Sequence, residues 1–121
     1  MTRVITWLAL CVCGICVQTT ALRAQVVQLL ENDSVRVFRA TIRAGTSTGR
    51  HTHLLPHVTY VENGGTLLIR HPDGSADTVK VATGSAYWGR VETHTADNIG
   101  SSDVVLITVE LKRSHGNQPP N

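Results

Sequence analysis

From Val26 to Lys112 the chain alternates short β-prone runs with turn residues, and no stretch holds a helical period over three turns. Nothing else in the sequence constrains the fold as tightly. Ser34 to Arg43 places Val35, Val37 and Arg39 on one face and Phe38, Ala40 and Ile42 on the other. His57 to Glu62 is rich in β-branched and aromatic residues. Asn63-Gly64-Gly65 then offers the positive-φ residues of a tight hairpin, with Thr66 to His71 as its return strand. Pro72-Asp73-Gly74 reads as a second turn, Asp77 to Val81 as a short strand and Gly84 as a break. Ala86 to Trp88, Val91 to Ala96 and Val104 to Lys112 complete the set, with a turn at Gly100 to Asp103. Many short strands with regular turns predict an all-β sandwich or barrel in one domain.

The first residues follow a different logic. Met1-Thr2-Arg3 gives a positive start, Val4 to Val17 is a run of fourteen uncharged residues, and Gln18 to Ala24 supplies polar and small residues. This is the three-part layout of a secretory signal peptide, and the run falls short of the roughly 20 residues a bilayer span needs. Cleavage after Ala24 is the preferred reading and cleavage after Ala21 the alternative; an uncleaved anchor or a buried helix competes with both. Cys11, Cys13 and Cys16 follow Leu10, Val12 and Ile15 rather than the small residue that lipidation requires. The protein is therefore expected in the periplasm or outside the cell, with a domain at 25–113 and a flexible polar tail at 114–121. Removing residues 1–24 from the 121 leaves 97 without a cysteine, so disulfides are excluded. The charge balance of 11 basic to 9 acidic residues falls to 9 against 9, and no Lys/Arg cluster tracks phosphates. Nucleic acid is excluded as a partner, as is a membrane once the signal is cut. A small domain without disulfides gains from closed sheet packing, a metal or a second subunit.

The six histidines carry the chemistry. His51 and His53 stand two residues apart, so on an extended segment both imidazoles point to one face. His57 follows at the head of the next strand, and His94 lies 37 residues beyond it. A divalent transition metal (Zn, Cu, Ni, Fe or Mn) needs neutral imidazoles converging from more than one strand, and these four meet that need inside a barrel.

These residues resemble a known family, the cupins. The first cupin motif, Gly-x5-His-x-His-x3 or x4-Glu-x6-Gly, is matched in spacing by Gly45, His51, His53, His57 and Gly64, with His57 standing where the family has Glu. The second, Gly-x5-Pro-x-Gly-x2-His-x3-Asn, is represented by Gly84, His94 and Asn98; its Pro and middle Gly are missing and its Gly-to-His interval is one residue short. The resemblance covers residues 26–112. It implies a double-stranded β-helix (jelly-roll) barrel with a divalent metal held by His51, His53, His57 and His94, the alternative being a three-histidine site beside which His57 only hydrogen-bonds. It also implies a homodimer formed through outer strands. With imidazole in place of the Glu carboxylate, the expected preference moves from Mn or Fe toward Zn, Cu or Ni.

Trp88, Arg90 and Glu92 share parity with His94, so the four are expected on one side of a run. If that side is the barrel interior, all three are candidates for substrate binding, with Arg90 gripping an anion in bidentate fashion. The competing reading is a structural Arg90–Glu92 pair at the rim. His71 reads as a solvated turn residue, His115 as part of the tail, Tyr60 as a sheet or interface residue, and Glu110 as a pairing charge at an edge. Two functions follow: a metal-dependent oxygenase, isomerase or lyase acting on a small polar or anionic molecule, or a non-catalytic metal- or ligand-binding module. The fold alone does not choose between them.

Overall fold

The computed structural model describes residues 23–112; most of the expected signal peptide (1–22) and the expected tail (114–121) lie outside the described residues. Every element among these residues is a strand: β1 (Gln25–Glu31), β2 (Val35–Ile42), β3 (His51–His53), β4 (His57–Asn63), β5 (Gly65–Arg70), β6 (Ala76–Val81), β7 (Ala86–Gly89), β8 (Glu92–Asn98) and β9 (Val104–Leu111). They form two antiparallel sheets, ordered β1-β2-β9-β4-β7 and β3-β8-β5-β6. Facing each other, the two sheets make the expected double-stranded β-helix.

Inward residues of the larger sheet run in rows set by the strand register. Arg36, Glu110, His57 and Gly89 lie level with one another, and Phe38, Thr108, Thr59 and Tyr87 form the next row down. Ala40, Leu106 and Val61 come next, and Ile42 and Val104 close the floor. The even-numbered face of β2 is thus the interior, and the row order grades from charged to apolar. The core cluster of Ile42, Leu67, Ala96 and Val104 joins the two sheets at the apolar end. Asn98 is buried there and fully used: Nδ2 donates to the carbonyls of Ile42 and Ser102 at 2.8 and 2.9 Å, and Oδ1 accepts from Gly100 N at 3.0 Å. It holds the end of β2 and the β8–β9 turn together, because an unpaired amide at that depth would be costly.

The hairpin expected at Asn63-Gly64-Gly65 does not form. β4 pairs with β7 and β9, and β5 pairs with β6 and β8, so the chain crosses here from one sheet to the other. Neither Gly64 nor Gly65 has a positive φ. Their lack of a side chain serves close approach instead. A Cβ on Gly64 would stand 2.4 Å from the Val81 carbonyl oxygen and 2.8 Å from Thr83 N; one on Gly65 would stand 2.6 Å from a Val104 methyl. By contrast Gly74, in the β5–β6 turn, has φ of 89° and open space around it. Gly64→Ala is therefore expected to cost about 2 kcal/mol or more, because backbone must move. Gly74→Ala is expected to cost about 1 kcal/mol, the strain of a left-handed alanine. Thermal unfolding of the two variants checks the order; a larger loss at Gly74 would contradict it.

Candidate metal centre

His51 and His53 reach the cavity because β3 is zipped onto β8. Gly45, at φ 72°, starts the segment by donating its N–H to the Asn98 carbonyl at 2.9 Å. Thr48 continues the pairing, donating its N–H to Ala96 O and accepting the Ala96 N–H on its hydroxyl, both at 2.9 Å. Gly49, at φ 68°, then turns the chain so that His51 lies opposite His94 and His53 opposite Glu92.

One ring nitrogen from each of His51, His53 and His94 lies within 4.8 Å of the others. Nε2 of His51 and Nε2 of His53 are 3.2 Å apart. Nδ1 of His51 lies 3.1 Å from the Gly49 carbonyl, which places its proton on Nδ1 and leaves the Nε2 lone pair facing His53. Nitrogens bound to one ion at about 2.0–2.1 Å stand roughly 3.3–3.4 Å apart at a tetrahedral angle, so the spacing fits two donors on one metal. Nδ1 of His94 is buried with no hydrogen-bond partner, and Glu92 Oε1 lies 3.3 Å from it. Burial, followed by the charges of His57, His51 and His94, lowers the His53 pKa to about 4. His94 is lowered too, by burial first and then by His51, with Glu92 opposing. Both rings are thus held neutral, the form a metal requires.

His57 is buried beside this group and outside it. Its ring stacks on His53 with centroids 4.2 Å apart, Nδ1 faces the Leu55 carbonyl at 3.1 Å, and the other edge fills the space that Gly89 leaves open. A Cβ on residue 89 would fall 2.0 Å from His57 Nε2. Trp88 and Glu92 border the cavity, Trp88 at the rim with 60% of its surface exposed. Arg90 is exposed and does not border it. The shared parity of 88, 90, 92 and 94 is interrupted because β7 and β8 belong to different sheets and Arg90 lies in the link between them. No Arg90–Glu92 ion pair forms among the described residues; the carboxylate of Glu92 faces His94 instead. His71 pairs with Asp77 at 3.1 Å near the β5–β6 turn.

Two cavity residues escaped the sequence reading. Glu110 was expected as a charge at an edge, but β9 is the central strand of its sheet and Glu110 is 2% exposed. Arg36 donates two hydrogen bonds to its Oε2, one of them from Nε at 2.8 Å, and Oε1 lies 3.7 Å from His53 Nδ1. The carboxylate thus stands behind a candidate ligand, favouring a proton on its Nδ1 and a free Nε2. Arg36 was legible in principle: it shares the parity of Phe38, Ala40 and Ile42.

The chain matches no family model. Over 93 residues it is 32% identical to the beta-alanine degradation protein BauB of Pseudomonas aeruginosa, covering 74% of this chain and 97% of that protein. A cupin domain from Bordetella pertussis superposes with a TM-score of 0.71 at 25% identity, over 75% of this chain and 95% of its own. A double-stranded β-helix cupin from Methanocaldococcus jannaschii gives 0.60 at 14% identity, over 78% and 85%, a likeness of fold alone. The histidine-lined barrel, the extent of the BauB match and these structural neighbours agree, and the chain belongs to the cupin superfamily.

Proposed function

We propose that this cupin is an exported protein that holds one divalent transition metal on His51, His53 and His94 and uses it to bind and activate a small-molecule ligand. The observation that carries this is the convergence of three imidazoles at the mouth of a cavity of about 810 Å3. When bound, the ion supplies a Lewis acid with positions left open for a ligand oxygen. The all-imidazole donor set suits Zn, Cu, Ni or Fe. Three donors beside a wide cavity support a metal-dependent enzyme over a saturated four-histidine storage site. A non-catalytic ligand-binding module is the second reading, favoured because, among the described residues, the carboxylates at the mouth are engaged, Glu110 by Arg36 and Glu92 beside His94. Exposed Val26, Val27, Leu29 and Leu30 on the edge strand β1 support a homodimer. Elemental analysis of the purified protein, followed by activity screening of that metal form, tests the proposal. About one ion per chain is expected, and a protein that takes up no transition metal on reconstitution overturns it.

Export carries its own expectation. Ala24 N donates to the Ser47 carbonyl at 3.0 Å, Arg23 bridges to Ser47, and Ala24 packs on the core cluster. Residues 23 and 24 belong to the folded domain, which supports cleavage after Ala21 rather than after Ala24. Mass spectrometry of the exported protein should give Leu22 as the first residue; Gln25 or Met1 would reject this site.

A further inference from the structure

Below the histidines the cavity changes character. Its apolar walls are Phe38, Ala40 and Leu106 from one sheet and Ile69, Val79 and Val81 from the other, all partly exposed, and the packed Val61, Leu67 and Ala96 close it off below. Of the hydroxyls that line it, those of Thr59 and Thr108 face each other at 3.2 Å and that of Thr48 donates to the Gly49 carbonyl at 2.8 Å, so these three make fewer demands on an occupant. All the charge lies at the mouth, where Arg36, Glu110 and Glu92 border the cavity with the histidines. A divalent ion there, taken with the formal charges of those three side chains, leaves the mouth with one net positive charge.

A volume of about 810 Å3 lies within the roughly 300–1,000 Å3 range of sites that enclose ligands of drug size. A ligand of a few heavy atoms, such as a short amino acid, would reach the ion and leave the apolar chamber unfilled. Leaving the apolar part of the cavity unfilled loses the dispersion contacts and water release that filling it would provide.

We propose that the site binds an amphipathic carboxylate, its anionic head at the metal-bearing mouth and its hydrocarbon or aromatic body in the apolar chamber. The placement of the head rests on the metal reading given above; the placement of the body does not. The chain-length dependence of binding separates the two. Straight-chain carboxylates from acetate to decanoate, each below its micelle-forming concentration, and β-alanine are titrated calorimetrically into the full protein, once metal-loaded and once chelator-stripped. Affinity is expected to rise about fourfold per added methylene from butanoate to octanoate, following the transfer of each CH2 from water. The metal-loaded form is expected to bind every member more tightly, and β-alanine no better than acetate. An affinity that stays flat with chain length in both forms overturns the proposal. The same slope in both forms, with no gain on metal loading, supports the chamber and overturns the metal as anchor of the head. In Ala40→Leu, which narrows the chamber away from the histidines, the rise is expected to stop at a shorter chain with metal content unchanged. An unaltered series in that folded variant would place the body elsewhere.

Discussion

Alanine at His51, His53 or His94 is expected to weaken metal binding by more than about 100-fold, whereas alanine at His57 leaves it within about tenfold. Loss of a group that merely orients a ligand commonly costs 10- to 100-fold, so loss of a donor atom exceeds that range. The contrast follows from geometry. Three ring nitrogens lie within 4.8 Å of one another, while the His57 ring stacks on His53 and its Nδ1 faces the Leu55 carbonyl. Elemental analysis of the purified variants gives occupancy, and competition with a chromophoric chelator gives the affinity ratio. Equal losses at His57 and His53 would restore the four-histidine site of the sequence reading. Retention of metal at full affinity in the triple variant would place the site elsewhere.

The metal-free protein is expected to lose stability as the pH falls from about 6.5 toward about 4. His53 in the folded chain is held at about 4, against 6.5 for an unperturbed imidazole, by burial and by the neighbouring imidazoles. Between those limits the unfolded chain takes up a proton that the folded chain refuses. The contribution is fully present above 6.5 and is lost progressively as the pH approaches 4. Each pH unit in that window can remove up to about 1.4 kcal/mol, and His94 acts with the same sign. Urea unfolding of chelator-stripped protein at several pH values measures the slope. The same series on His53→Asn subtracts the carboxylates that titrate near the lower end. A wild-type slope no steeper than that of the variant would remove His53 from the account. In the metal-loaded protein the loss should be steeper, because protonation also expels the ion that stabilises the fold.

Where local chemistry decided the structure, it was visible in the residues. The strands, the inward face of β2 at Phe38, Ala40 and Ile42, and the shared face of His51 and His53 all follow from a period of two. Pairing between distant strands was less legible. Asn63-Gly64-Gly65 has the composition of a hairpin turn, and only the packing of Val81 and Val104 against those glycines shows that they let a crossover pass. Glu110 resembled an edge charge because nothing local shows that β9 lies between β2 and β4. Arg90 looked equivalent to Glu92 because parity extends along a sequence even where the chain changes sheets. His57 matched a motif position, and its exclusion from the group depends on a carbonyl two residues earlier and on a glycine in a neighbouring strand.

All three converging imidazoles come from β3 and β8, neighbours in the smaller sheet, and β3 has only three residues. So short a strand has few ladder hydrogen bonds with which to resist local opening, and it lies at the edge of its sheet. An ion shared across the two strands would act there as a rivet, tying this short edge strand to one that reaches the core through Ala96. Loading the site would then do more than equip it for chemistry: it would set how often the barrel wall opens beside its own mouth, linking ligand entry to metal occupancy.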